Sequence, residues 1–177
     1  MTLKRLSHTL AACLLLLAAP ALARDLTPDE QSGLEDRIAR FEQAFEQGDM
    51  DAVLTVVPPK VISSAADTYG LTEPQVLAAM KQAMINAMAA VTVEEYEIDL
   101  AAATTGETAS GRVYVLIPTT TLIRVGEQDP VRSDTVTLAF RDDGTWYLVR
   151  IDDEQQVASL TAAYPEFDGV DLIDGDE

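Results

Sequence analysis

The chain has 177 residues, 30 of them acidic and 12 basic, which gives a net charge of −18 at neutral pH. A surface of that sign repels nucleic-acid phosphates and anionic lipid, so no nucleic-acid partner is expected. The only Cys (Cys13) and the only His (His8) stand in the first 23 residues. Beyond them no disulfide, no Cys/His zinc site and no Ser-His or Cys-His nucleophilic pair is possible.

Residues 1–23 read as a secretory signal peptide. Lys4 and Arg5 form a basic start, an apolar run follows from Leu10 to Ala19, and Ala21 and Ala23 offer the small side chains a signal peptidase accepts. The expected cut follows Ala23 and places the protein in the periplasm or outside the cell. Leu10-Ala11-Ala12-Cys13 has the form of a lipobox, but the apolar run continues beyond Cys13 where a lipobox would end it. The run is shorter than the roughly 20 apolar residues that span a bilayer, and no second run follows, so no integral membrane segment is expected after cleavage. Cleavage removes two basic and no acidic residues, leaving ten basic against 30 acidic and a charge of −20. The remainder reads as one domain over 24–165 with an acidic, disordered tail over 166–177.

Thr27-Pro28-Asp29-Glu30 is a capping box with Pro at the first helical position, followed by the apolar stripe Leu34, Ile38, Phe41 and Phe45. Gly48 stops this helix. Asp49 can cap a short second one from Met50 to Val57, which Pro58-Pro59 terminates. A third starts at Thr72 with Gln75 three residues on, and carries Val76, Leu77, Met80, Met84 and Met88 to about Ala90.

From Val91 the period changes from near four to two. Strands are expected over Val91–Leu100, Arg112–Val125, Ser133–Arg141 and Thr145–Asp152, with Asp142-Asp143-Gly144 turning the last pair into a hairpin. Pro118 has no N–H for a ladder, so a bulge or bend is expected there. In the third strand Val136, Leu138 and Phe140 alternate with Thr135, Thr137 and Ala139, which predicts one buried face and one less so. A last short helix is expected near Glu154 to Ala163. Helices followed by an antiparallel meander make an α+β domain, with N-terminal helices packed on a curved sheet of about four strands.

The element order resembles the NTF2-like superfamily. So do the stretch Phe41-Glu42-Gln43-Ala44-Phe45-Glu46-Gln47-Gly48-Asp49-Met50-Asp51-Ala52-Val53 and the ending Asp143-Gly144-Thr145-Trp146-Tyr147-Leu148-Val149. The resemblance implies a cone: a curved sheet wrapped around a helix, with an apolar pocket at the open end. Ketosteroid isomerase and the SnoaL-type cyclases share that cone and work with an Asp base beside Tyr and acid donors, or with an Asp/His pair. No base of this chain matches theirs residue by residue.

The catalytic candidates are Asp99 with Tyr96 and Tyr114, an acid and two phenols on adjacent strands, which suffice for enolisation if burial raises the acid's pKa. Against them, Glu95, Glu97 and Asp99 alternate with Tyr96, Ile98 and Leu100, which places the acids on a solvated face. Met80, Met84, Tyr96, Tyr114 and Trp146 are the ligand-binding candidates. Met reshapes around apolar guests and an aromatic ring stacks on them, although helical spacing also suits the methionines to a core. Asp168, Asp171, Asp174, Asp176 and Glu177 lack the spacing of a calcium loop, so no metal site is expected, and no cofactor.

Two functions remain open. One is an exported, non-catalytic domain that binds a small apolar ligand or an envelope protein partner, or pairs as a homodimer through its sheet. The other is a small cofactor-free isomerase, hydratase or cyclase acting on an apolar substrate. A buried carboxylate beside a Tyr in an enclosed pocket would favour the enzyme.

Overall fold

The computed structural model describes residues 24–172; the expected signal peptide over 1–23 and the last acidic residues, 173–177, lie outside it. Four helices come first: α1 (Pro28–Glu46), α2 (Met50–Leu54), α3 (Pro59–Tyr69) and α4 (Glu73–Ala90). Five strands follow: β1 (Thr92–Ile98), β2 (Thr104–Glu107), β3 (Val113–Arg124), β4 (Val131–Asp142) and β5 (Thr145–Ile151). Helix α5 (Glu154–Ala163) and a 3-10 turn over Pro165–Phe167 complete the order. The domain is α+β, with helices against a strongly curled antiparallel sheet of cone-like form.

Local chemistry sets the helix ends as the residues predict. The Thr27 hydroxyl accepts from the Glu30 N–H, and the Glu30 carboxylate accepts from the Thr27 N–H at 2.9 Å, so two free donors of the first turn are satisfied. Gly48 takes φ +66°, a left-handed value that lets the chain leave α1 without a Cβ clash, and Asp49 then caps α2 through the Ala52 N–H. Helix α3 is absent from the sequence reading. The prolines that end the second helix also open this one, with Pro59 at its first position and Ile62 and Ala66 buried one turn apart. Breaker and starter are the same residues.

Strand β3 is the spine of the sheet. One of its edges pairs with β4 through ten consecutive residues, from Tyr114↔Phe140 to Ile123↔Val131. The other edge is divided between β2, opposite 113–116, and β1, opposite 119–124. Pro118 sits at the division. Its carbonyl accepts from the Asp99 N–H at 2.9 Å on that same edge, so its missing N–H faces the gap where β1 has left the sheet. The ladder to β4 therefore runs through Pro118 without the expected bulge, and the register shift lies instead between Val93 and Glu95 in β1. Asp143 and Gly144, at φ +47° and +79°, form the two-residue hairpin turn between β4 and β5.

Both sheet faces are covered around Leu138, Ala139 and Phe140, each fully buried, where the alternation predicts one buried face. On the concave face Leu34 and Ile38 of α1 meet Val115, Ile117, Ala139, Trp146 and Leu148. On the convex face Leu160, Tyr164, Phe167 and Leu172 pack on Tyr114, Leu138, Phe140 and Ile151. Arg112 fastens that cover: its guanidinium lies over the rings of Phe140 and Tyr164, and its Nε donates to Glu166 at 2.8 Å. The domain thus extends past the expected boundary at 165 to at least Leu172, because Phe167 and Leu172 supply apolar surface that the convex face needs. Residues 166–172 belong to the fold and not to a disordered tail.

Two carboxylates tie this packing to pH. The Arg24 guanidinium, with the Thr27 N–H, holds Glu30 at a pKa of about 2 against an ordinary 4.5. Burial alone would raise Asp142, but the Tyr164 hydroxyl, Lys60 and Arg112 outweigh it and hold the group below its usual range. A depressed folded pKa means stability that is complete above the ordinary value and lost as pH falls through the folded one. Glu30→Gln keeps a capping side chain and removes the charge. Thermal melts followed by circular dichroism should show the variant below the parent by several degrees near pH 6, with the gap closing as pH falls from 4.5 towards 2. A gap unchanged at pH 2 would separate it from ionisation of Glu30.

Candidate functional site

The curl of the sheet leaves a cavity of about 260 Å³ beside α1, between the helices and the concave face. Each wall follows from a pattern in the chain. Phe41 and Phe45 continue the stripe of α1 one and two turns beyond Ile38, Phe41 packed against the aliphatic core and Phe45 beyond it. Met80 and Met84 come from the inner side of α4, Leu54 and Val57 from α2 and the turn after it, and Ile98 and Leu148 from β1 and β5. Tyr96 closes the end, its ring centroid 5.9 Å from that of Phe41 and 5.3 Å from that of Phe45.

Three polar side chains face this space: Tyr96, Thr137 and Arg150. Thr137 and Arg150 are directly paired across β4 and β5, and the Thr137 hydroxyl lies 2.8 Å from that of Thr119. Burial raises the Tyr96 phenol above its ordinary pKa; Arg150 opposes the shift and Glu42 adds to it. Arg150 is anchored by Asp152, whose carboxylate is 3.0 Å from its Nε. Outside the cavity, Tyr96 and Phe45 also border a vestibule that includes Glu42 and Glu46. Glu42 is raised, first by burial and then by the like charge of Glu46 one turn on.

Of the residues singled out from the sequence, Met80, Met84 and Tyr96 converge on this cavity. Tyr114 does not. It lies on the convex face with Phe167 and Phe140, because side chains alternate along β3 and Tyr114 is out of phase with the concave Val115 and Ile117. Trp146 is 4% exposed in the core against Leu34 and Ile38, with its indole 3.3 Å from where a Cβ on Gly33 would stand. Asp99 caps the 3-10 turn over Leu100–Ala102, accepting from the Ala101 and Ala102 N–H groups. Its carboxylate is a turn-former. The Asp99–Tyr96–Tyr114 constellation is therefore not assembled. Sequence reasoning missed Thr137, Arg150 and Phe41 as wall residues; the pairing of β4 with β5, which decides that Arg150 shares a face with Thr137, could have found the first two, and the apolar stripe of α1 the third.

A larger groove of about 600 Å³ lies on the outer surface between α2, α3 and α4, walled by Leu54, Val57, Pro59, Ile62, Pro74 and Leu77. It is crossed by the Lys81–Asp51 ion pair at 2.6 Å. Helix α4 buries only Val76 and leaves Leu77 and Ile85 about two-fifths exposed. Among the described residues no cluster of three His, Cys, Asp or Glu side chains could hold a metal, and no helix is long and apolar enough to cross a membrane.

Tyr114 has a structural reason for its place. It pairs with Gly106 on β2, and a Cβ there would stand 2.3 Å from the phenol ring, so the ring lies across the bare backbone. Gly106→Ala should lower stability by about 1–3 kcal/mol through overpacking, measured by urea denaturation. Tyr114→Ala in the same background should make the alanine tolerable, and no rescue would show that the ring is not what excludes it.

Compared with protein-family models, with curated proteins and with solved structures, the chain matches none of them.

Proposed function

We propose that this chain is an exported binding domain of the NTF2-like type, which holds a small apolar ligand in the cavity between α1, α4 and the concave sheet face and does not transform it. The observation that carries the reading is the convergence of Phe41, Phe45, Met80, Met84 and Tyr96 on one space. A volume of about 260 Å³ exceeds the ~150 Å³ cavity that takes benzene and falls below the ~300–1,000 Å³ of drug-sized ligands, so a single ring or a short chain fits. Catalysis by an isomerase, hydratase or cyclase is less well supported. No carboxylate lines the cavity, and Asp99 is committed to its turn. Export rests on the residues of the signal peptide.

The test is native mass spectrometry on the protein recovered from its own host. A retained small molecule of single-ring or short-chain size is expected, and Met84→Trp, which fills the cavity, should lose it with the fold intact by circular dichroism. Recovery without any such molecule, together with no change in Met84→Trp, would sink the reading.

A second reading, pairing of two copies, is favoured by α4. Its 18 residues include only Glu73 and Lys81 as charges in a chain of −18, so two copies meet there without net repulsion. Sheet-to-sheet pairing is less well supported, since the C-terminal segment covers the convex face around Tyr114, Leu138 and Phe140, and Glu95 and Glu97 lie near Arg132 and Asp134 elsewhere on it. Analytical ultracentrifugation should then give a dimer that Leu77→Glu with Ile85→Glu converts to a monomer; a parent that sediments as a monomer at 50 μM rejects it.

A further inference from the structure

Resting on the reading of the cavity as a ligand site, we infer that its ligand is a small apolar acid whose carboxylate is held by Arg150 and the Tyr96 hydroxyl. Among the thirteen residues that line the cavity Arg150 is the one with a charge. Its direct pairing with Thr137 across the β4–β5 ladder fixes where the guanidinium leaves the sheet. Asp152 engages Nε of a side chain that is 41% exposed, which leaves the Nη donors for a ligand at the cavity mouth. The Tyr96 hydroxyl faces that of Thr137, and its phenol is close enough to feel the charge of Arg150. Thr137 adds a hydroxyl at the same end. The rest of the wall is aliphatic and aromatic.

That arrangement discriminates between head groups. A neutral guest offers the Nη donors of Arg150 no charged acceptor, and an ammonium meets a charge of its own sign. A carboxylate accepts from the planar fork and from the phenol together, which are charge-assisted bonds of the stronger kind. Glu42 opposes an anion at Tyr96, but it borders the vestibule and is not among the cavity-lining residues. The acidic surface slows an anion's approach, though repulsion beyond about 8 Å is screened at physiological ionic strength.

The experiment titrates benzoate, benzyl alcohol and benzylammonium, one ring each, into the full processed protein by isothermal calorimetry with chemical-shift mapping. Benzoate is expected to bind at least tenfold tighter than benzyl alcohol, and benzylammonium weakest. Arg150→Gln should remove that preference while leaving the alcohol within threefold. Tyr96→Phe keeps the ring against Phe41 and Phe45 and should weaken benzoate about threefold, which serves if the Arg150 variant does not fold. Equal binding of alcohol and benzoate, tighter binding of the ammonium, or a preference that survives both substitutions overturns the acid and leaves the ligand site standing. Binding of none of the three overturns the ligand site and the acid with it.

Discussion

The ladder between β3 and β4 is the constraint on which the rest of the structure depends. Ten consecutive pairs join the two strands, and at Leu138, Ala139 and Phe140 they are buried on both faces. A one-residue slip there would exchange the side chains that meet α1 for those that meet α5 and Phe167, so register is held by two cores at once. Every other element attaches to this pair. Strands β1 and β2 share the free edge of β3, β5 lines the free edge of β4, and the helices cover the faces. Even the outer edge of β5 is occupied in part, since the Leu148 N–H donates to the Val56 carbonyl after α2.

The cavity follows from where that core ends. Helix α1 is 19 residues long, and its first turns seal the aliphatic cluster with Leu34 and Ile38. Further along, the concave face changes from Val115, Ile117 and Ala139 to the hydroxyls of Thr119, Thr121 and Thr137, and the residues above it change to Phe41 and Phe45. Aromatic rings over a threonine band do not interdigitate as branched aliphatics do, and a space remains. Thr121, opposite Tyr96 in the register, is 7% exposed and its hydroxyl has no hydrogen-bond partner among the described residues, a cost of about 1–3 kcal/mol.

The convex face is organised by charge as well as by packing. Arg112 reaches Glu166, Asp142 and two rings, and Tyr164 donates its hydroxyl to Asp142 at 3.0 Å. This network fastens the chain's last described segment across the sheet, so the cover that buries Phe140 comes from residues whose acidity alone suggests a solvated tail. The two ends of the described chain are held in the same manner, with Arg24 forked onto Glu30 at 2.8 Å.

The sequence by itself determined the local events: the caps at Thr27, Asp49 and Thr72, the stop at Gly48, the hairpin at Asp143-Gly144, the four long strands and the α+β class. Each depends on a few neighbouring residues and one periodicity, which is why it can be read without the rest of the chain. Tertiary structure decided what depends on distant pairing. It opened α3 at the prolines that close α2, placed β2 beside the half of β3 that β1 cannot reach, and folded 166–172 onto an apolar face that no local pattern reveals. It also sorted the candidate site. Tyr96 and Tyr114 are indistinguishable as strand phenols, and only the register of β1 and β2 on β3 sends one to the cavity and the other to the opposite face. Arg150 reads as a solvated strand residue until β5 pairs with β4 and sets it beside Thr137.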